Sequence, residues 1–174
     1  MDDARDIVLR ALRRTRQVRR FTDGPVADAD IQAILDVARW SGSSENTQPW
    51  LFVVIRDPAV RRRIGELARY ARHVGKAPLA LAIVMPGADP ESEAYDEGRV
   101  AERILIAAGA MDLGAGIGWA ERAEQEEVGA LLGVTPPAFV RTIVSIGRPT
   151  DEARRPRRGP GTGRRPLAEF IRER

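Results

Sequence analysis

The sequence predicts an α+β domain, on three observations. Helical and strand patterns follow one another without the regular strand, crossover helix, strand alternation of a doubly wound sheet. Three short apolar runs, Trp50 to Ile55, Leu79 to Met85 and Phe139 to Ile146, have the length and β-branched content of buried strands. One helical stretch, 96 to 113, becomes apolar on nearly all sides after Ile104, as a helix packed at the centre of a domain does. The 174 residues fit one domain with a sizeable core. Positions 1–150 read as that domain, and 151–174 as an Arg-, Pro- and Gly-rich extension ending in a terminal anchor.

The elements follow in chain order. Ala4, Ile7, Val8, Ala11 and Leu12 recur at helical spacing, so a first amphipathic helix runs to about Arg14. A turn at Thr22-Asp23-Gly24-Pro25 leads to a second helix with Ile31, Ile34, Leu35 and Ala38 on one face and Asp28 as its expected N-cap. Pro49 is expected to hold Gln48 extended before the first strand. Asp57-Pro58 opens a third helix carrying Val60, Ile64 and Leu67, with proline at a tolerated first-turn position. Pro86-Gly87 closes the second strand, and the glycines of 114–118 are expected to end the central helix, Gly114 serving as its C-cap. A short helix at 126–132 stops at Gly133. Beyond Gly147 the composition is too rich in Pro, Gly and Arg for a packed element, although Leu167, Phe170 and Ile171 give the terminal segment something to bury.

Composition excludes several chemistries. The chain has no cysteine and one histidine, His73, which leaves no disulfide framework, no thiolate nucleophile, no Cys-based or His-rich metal site and no Ser-His-Asp triad with a histidine to spare. No metal site is expected. The longest apolar run is too short to span a bilayer and the first residues lack a signal-peptide core, so a cytoplasmic protein without a membrane partner is expected. Net charge is +3, but residues 1–22 carry +4 and residues 141–174 carry +6, leaving −7 between them. Two basic ends suit nucleic acid, an anionic surface or a phosphorylated ligand. No aromatic residue is interleaved with the arginines from 148 to 165, so the stacking platform of a nucleic-acid binder is missing and that partner is disfavoured.

Two polar strings stand out. One is Thr15-Arg16-Gln17-Val18-Arg19-Arg20-Phe21, with Pro25-Val26 after it; the other is Ser43-Ser44-Glu45-Asn46-Thr47-Gln48-Pro49-Trp50, between the second helix and the first strand. Taken alone, the second is either a solvated turn or a ligand loop offering hydroxyls, amides and backbone N–H groups. The arginines are either a solvated helix end or guanidinium forks for phosphate. Together with Phe52-Val53-Val54 and the tail Gly163-Arg164-Arg165-Pro166-Leu167-Ala168-Glu169-Phe170, these strings resemble the nitroreductase family of FMN-dependent oxidoreductases, in the right order from about Thr15 to Phe170.

The resemblance implies a mixed sheet covered by helices, an intertwined homodimer and one FMN per site. It implies that Arg16, Gln17 and Arg19 bind the FMN phosphate and ribityl chain, with Thr15 where the family often has its first arginine and Gln17 where it usually has serine. Ser43, Ser44 and Asn46 would reach the flavin of the neighbouring subunit, Gly42 standing in place of the usual proline. Gly116, Ile117 and Gly118 would bring backbone N–H groups to flavin N5 and O4. Arg164 would return to the phosphate, with Arg165 or an arginine from 154 to 158 substituting for the basic residue the family has where Thr162 stands. His73 is either a helix-surface histidine or a group facing flavin N1 and O2. GxGxG after a helix is not a dinucleotide fingerprint.

The activity implied is reduction of nitroaromatic or quinone-like substrates by NADH or NADPH through FMN, in a ping-pong cycle with no catalytic side chain named. About thirty residues between the glycines and Gly147 leave little room for a pocket-narrowing excursion, so an open flavin face and broad acceptance are expected. The rival readings are a specialised flavin dehydrogenase or oxidase of a biosynthetic intermediate, and a non-catalytic flavin-binding or Arg-mediated nucleic-acid-binding protein.

Overall fold

The computed structural model describes residues 3–155 and 163–173. Its helices are α1 (Ala4–Arg14), α2 (Asp28–Arg39), α3 (Pro58–Leu67), α4 (Pro90–Ala110), α5 (Gln125–Leu131) and α6 (Asp151–Arg154). The strands are β1 (Leu51–Ile55), β2 (Leu79–Met85), β3 (Gly114–Trp119) and β4 (Phe139–Gly147), and short 3₁₀ segments occupy Ser44–Asn46, Arg69–Lys76 and Leu167–Phe170.

The strands form one sheet in the order β1-β2-β4-β3, every neighbouring pair antiparallel. Central β2 reads LALAIVM and is buried along its whole length, because both faces are covered. Its side chains alternate: Leu79, Leu81, Ile83 and Met85 pack with Ile31, Ile34, Val100 and Ile104 of α2 and α4. Ala80, Ala82 and Val84 pack with Ile64, Ala71, Val74 and Val128 on the other face. At about 1.5–3 kcal/mol for each fully buried large aliphatic side chain, these two layers supply the main folding drive.

Asp57 and Asp89 accept backbone N–H groups at the starts of α3 and α4, each followed by proline at the first helical position. The N-cap of α2 is Ala27, without a side-chain cap; Asp28 lies inside the helix and instead pairs with Arg56 at 2.7 Å. The central helix starts earlier than the apolar pattern suggests, at Pro90, and ends at Ala110, with Met111 as its C-cap and Asp112 at φ +56° making the left-handed turn. Gly114 is therefore no C-cap: the glycine run is strand β3. A Cβ at Gly116 would collide with the Val18 carbonyl oxygen, and one at Gly118 would lie 2.8 Å from the Ala71 Cβ. These positions are glycine because neighbouring chain segments lie directly against the strand.

The N-terminal segment closes the outer edge of the sheet. Val18 N–H donates to the Ala115 carbonyl at 2.8 Å, and Gln17 bridges Ala115 in parallel, so the sheet is mixed at this edge. Phe21 bridges Pro149, Thr22 N–H reaches the Arg148 carbonyl at 2.9 Å, and Thr150 N–H reaches that of Arg20 at 3.2 Å. The two basic ends are thereby tied together at the end of β4. The segment after Gly147 forms one short helical turn, α6, without a buried residue, capped by the Thr150 hydroxyl accepting the Ala153 N–H. Residues 156–162, with Arg157, Arg158 and Thr162, lie outside the described residues.

Candidate functional site

Between residues 17–19, the 3₁₀ segment and the far end of β3 lies a cleft of about 520 Å³ lined by Gln17, Arg19, Arg69, Tyr70, Arg72, His73, Ile117 and Trp119. The parallel edge pairing brings Gln17 and Arg19 there. The close packing of Ala71 on Gly118 brings the 3₁₀ segment to the opposite side.

His73 forms the inner wall. It is half-buried, and its Nε2 lies 3.3 Å from the Gly116 carbonyl oxygen. That oxygen only accepts, so Nε2 carries the proton and Nδ1 is the free acceptor. Burial holds the His73 pKa below its ordinary 6.5; the Gly116 hydrogen bond opposes this, and the neighbouring Arg19 charge reinforces it. The histidine lines the cleft. The Gly116 carbonyl also accepts the Ser145 hydroxyl at 3.1 Å.

Of the glycine-strand residues, Ile117 lines the cleft, and its N–H donates to the Gln17 side-chain oxygen at 2.6 Å. Gly116 and Gly118 are buried beneath the neighbouring segments. Trp119 projects at 47% exposure. Its ring lies under the Arg141 guanidinium at 5.6 Å; Arg141 Nε donates to Glu97 Oε2 at 2.8 Å, and Glu97 is 2% exposed with Oε1 unpartnered. Neither Glu97 nor Arg141 stood out in the sequence, since the pair joins α4 to β4 across 44 positions.

Arg16 does not line this cleft. Its guanidinium donates to the carbonyls of Ala153 (2.7 Å), Arg154 (2.9 Å) and Arg155 (3.3 Å), the C-terminal end of α6. It borders a second cavity of about 350 Å³ beneath α1, with Ile7, Arg14, Leu105, Ile106 and Arg154. Arg164 and Arg165 are exposed and line neither cavity; Arg165 pairs with Glu169 at 3.4 Å and lies over Phe170 at 4.4 Å. The apolar residues expected to bury the tail are open in a single chain: Leu167, Phe170 and Ile171 are 72%, 61% and 57% exposed.

The loop of Ser43, Ser44 and Asn46 also lines neither cavity. It is held from behind: Ser44 N–H donates to Asp96 Oδ2 at 3.2 Å, and the Ser43 hydroxyl accepts Gln48 N–H at 2.9 Å. Arg99, paired with Asp96, reaches the Gly42 carbonyl. Gln48 has φ +48°, not the extended conformation expected before proline, and Glu45 and Asn46 are left-handed too, at +51° and +57°. Three left-handed non-glycine residues carry a strain that the Asp96 and Ser43 contacts hold in place. The Ser44 and Asn46 side chains are thereby presented outward.

Known proteins share this architecture. A model described as the nitroreductase family matches residues 12–86. A protein of Archaeoglobus fulgidus provisionally named an NADH dehydrogenase/NAD(P)H nitroreductase is 31% identical over 146 residues, which cover 79% of this chain and 82% of the relative. The NADH dehydrogenase of Thermus thermophilus is 41% identical over 73 residues, 42% of this chain and 35% of that protein. A solved structure of a provisionally assigned nitroreductase from Desulfovibrio desulfuricans, in complex with FMN, is 27% identical with a TM-score of 0.82, covering 100% of this chain and 98% of that one. The fold is that of the α+β nitroreductases, and the chain belongs to the nitroreductase family. Among the described residues no helix is long and apolar enough to cross a membrane.

Proposed function

We propose that the protein is an FMN-dependent oxidoreductase driven by NADH or NADPH, acting on oxidised planar acceptors such as quinones or nitroaromatics. The observation that carries this is the cleft itself: about 520 Å³, lined by Arg19, Arg69, Arg72 and His73 with no carboxylate, and walled by Trp119. Phosphate needs the cations and a planar ring needs the wall, so the residues present fit a flavin mononucleotide. The FMN complex of a family member of matching length supports the same reading.

Arg19 and Gln17 would hold the phosphoribityl arm, with Arg164 or Arg165 supplied by the tail and Arg16 bracing α6 behind them. Ile117 and His73, which line the cleft, would border the ring. Bound FMN supplies two-electron hydride chemistry between a nicotinamide donor and an oxidised acceptor. The chain's own contribution is positional and electrostatic. Arg19 and Arg72 favour negative charge in the cleft, and the His73 Nε2 proton, committed to Gly116, leaves Nδ1 as an acceptor. Donor and acceptor take turns in one open cleft, which implies ping-pong kinetics and broad acceptance.

A homodimer completes the site. The loop carrying Ser43, Ser44 and Asn46 borders neither of the two cavities, and α1 leaves Ile7, Val8, Leu9 and Leu12 between 40% and 58% exposed. A second copy would cover such apolar surface and present its loop to this cleft. Purified protein is expected to be yellow, to release FMN on denaturation and to bleach anaerobically with NADH or NADPH. A flavin-free protein, or bound FMN that neither nucleotide reduces, contradicts the proposal.

A further inference from the structure

The outer part of the cleft carries more positive charge than a monophosphate requires. Arg69 and Arg72 stand exposed on the 3₁₀ segment, and Arg19 faces them across the opening. None of the three forms a salt bridge with another described residue. The carboxylate nearest in the hydrogen-bond network, Glu124, is turned to the backbone, its two oxygens accepting the Arg69 N–H at 3.1 Å and the Glu121 N–H at 2.8 Å. Between these cations stand two aromatic side chains left open to solvent, Tyr70 at 54% and Trp119 at 47% exposure. Arg69 already lies 5.4 Å from the Tyr70 ring.

A cleft lined by one sign of charge concentrates ligands of the opposite sign, and exposed rings flanked by guanidinium groups suit a planar body with an anionic substituent. We infer that this rim selects planar substrates carrying an anionic group, with Arg69 and Arg72 binding the anion and Tyr70 and Trp119 stacking on the ring. The inference rests on the flavin-cleft reading and deepens it by naming the substrate class. The shared chemistry covers two sources: a 2′-phosphorylated nicotinamide donor and an anionic aromatic acceptor.

The test is equilibrium dialysis of the protein as purified against 1,4-naphthoquinone-2-sulfonate and neutral 1,4-naphthoquinone, at low ionic strength. The absence of cysteine removes thiol addition to the quinones as a complication. The wild-type protein is expected to bind the sulfonate about tenfold more tightly, as charge-assisted contacts to two guanidinium groups imply. The preference should shrink in added salt. In the Arg69→Gln/Arg72→Gln variant it should fall below about twofold. The ratio of KM values for NADH and NADPH, read in both proteins, tells which source uses the rim. Equal affinities in the wild type, or a preference that survives the double variant, overturns the inference. FMN content of the same samples reports on the flavin reading separately. A yellow protein without preference sinks the rim alone, whereas a colourless protein that still prefers the sulfonate supports the rim and contradicts the flavin.

Discussion

The side-chain oxygen of Gln17 accepts the Ile117 N–H at 2.6 Å, so one amide ties the Arg16–Arg19 segment to the strand at the floor of the cleft. Both residues were candidates for flavin contact, and the structure brings them onto each other. Gln17→Ala should cost about 1 kcal/mol of stability, the net worth of a hydrogen bond, and weaken FMN because Arg19 loses its tether. Gln17→Glu keeps an acceptor for Ile117 but places a negative charge beside Arg19. Thermal melts near wild type with weakened FMN are expected for it, and a Gln17→Glu protein that binds FMN as the wild type does would contradict the role.

His73 gives a pH signature of defined sign. Burial depresses its folded pKa below the unfolded 6.5, so the unfolded chain takes up a proton more readily than the folded one across that interval. The neutral histidine's stability is present above about pH 6.5 and is lost as pH falls through the folded value. Because the chain has one histidine, a single imidazole resonance should titrate below 6.5 by NMR. His73→Gln should show a flatter melting-temperature profile over the same window.

The Glu97–Arg141 pair is the costliest to break. Glu97 is 2% exposed and already has one unpartnered oxygen, so Arg141→Leu leaves a buried carboxylate with no counter-charge. A loss of about 3–5 kcal/mol in denaturant melts is expected.

The proposed supply of the loop by a second copy is tested by complementation. Arg19→Ala and Asn46→Ala homodimers should each retain little FMN. Coexpressed, they form a heterodimer with one intact and one doubly defective site, and its flavin content should recover toward half of wild type. No recovery in a purified heterodimer contradicts a loop working across the interface.

Much of the fold was legible because burial writes a period into the sequence: β2 alternates Leu, Ile and Met against Ala and Val between two cores, and α2 and α4 carry apolar faces. Strand β3 was misread because its glycines look like a helix terminator, while their cause, the approach of Val18 and Ala71, is a long-range contact. The Arg69–Lys76 segment was missed because a 3₁₀ turn has no sustained periodicity, and Tyr70 was missed with it, while His73 was left between two readings. Gln48 departs from its expected conformation because the Ser43 hydroxyl captures its N–H. Arg16 was assigned by its place in a motif; its guanidinium donates to the carbonyls at the end of α6, a contact between segments distant in sequence.

The central claim is that the cleft around Arg19 binds FMN, and its most direct measurement is a fluorescence titration of flavin-free protein with FMN. The wild type should bind one FMN per chain, and Arg19→Ala should bind at least about tenfold more weakly while keeping its fold, as loss of a charged phosphate partner implies. A wild-type protein that does not bind FMN, or an Arg19→Ala protein that binds it unchanged, would contradict the account.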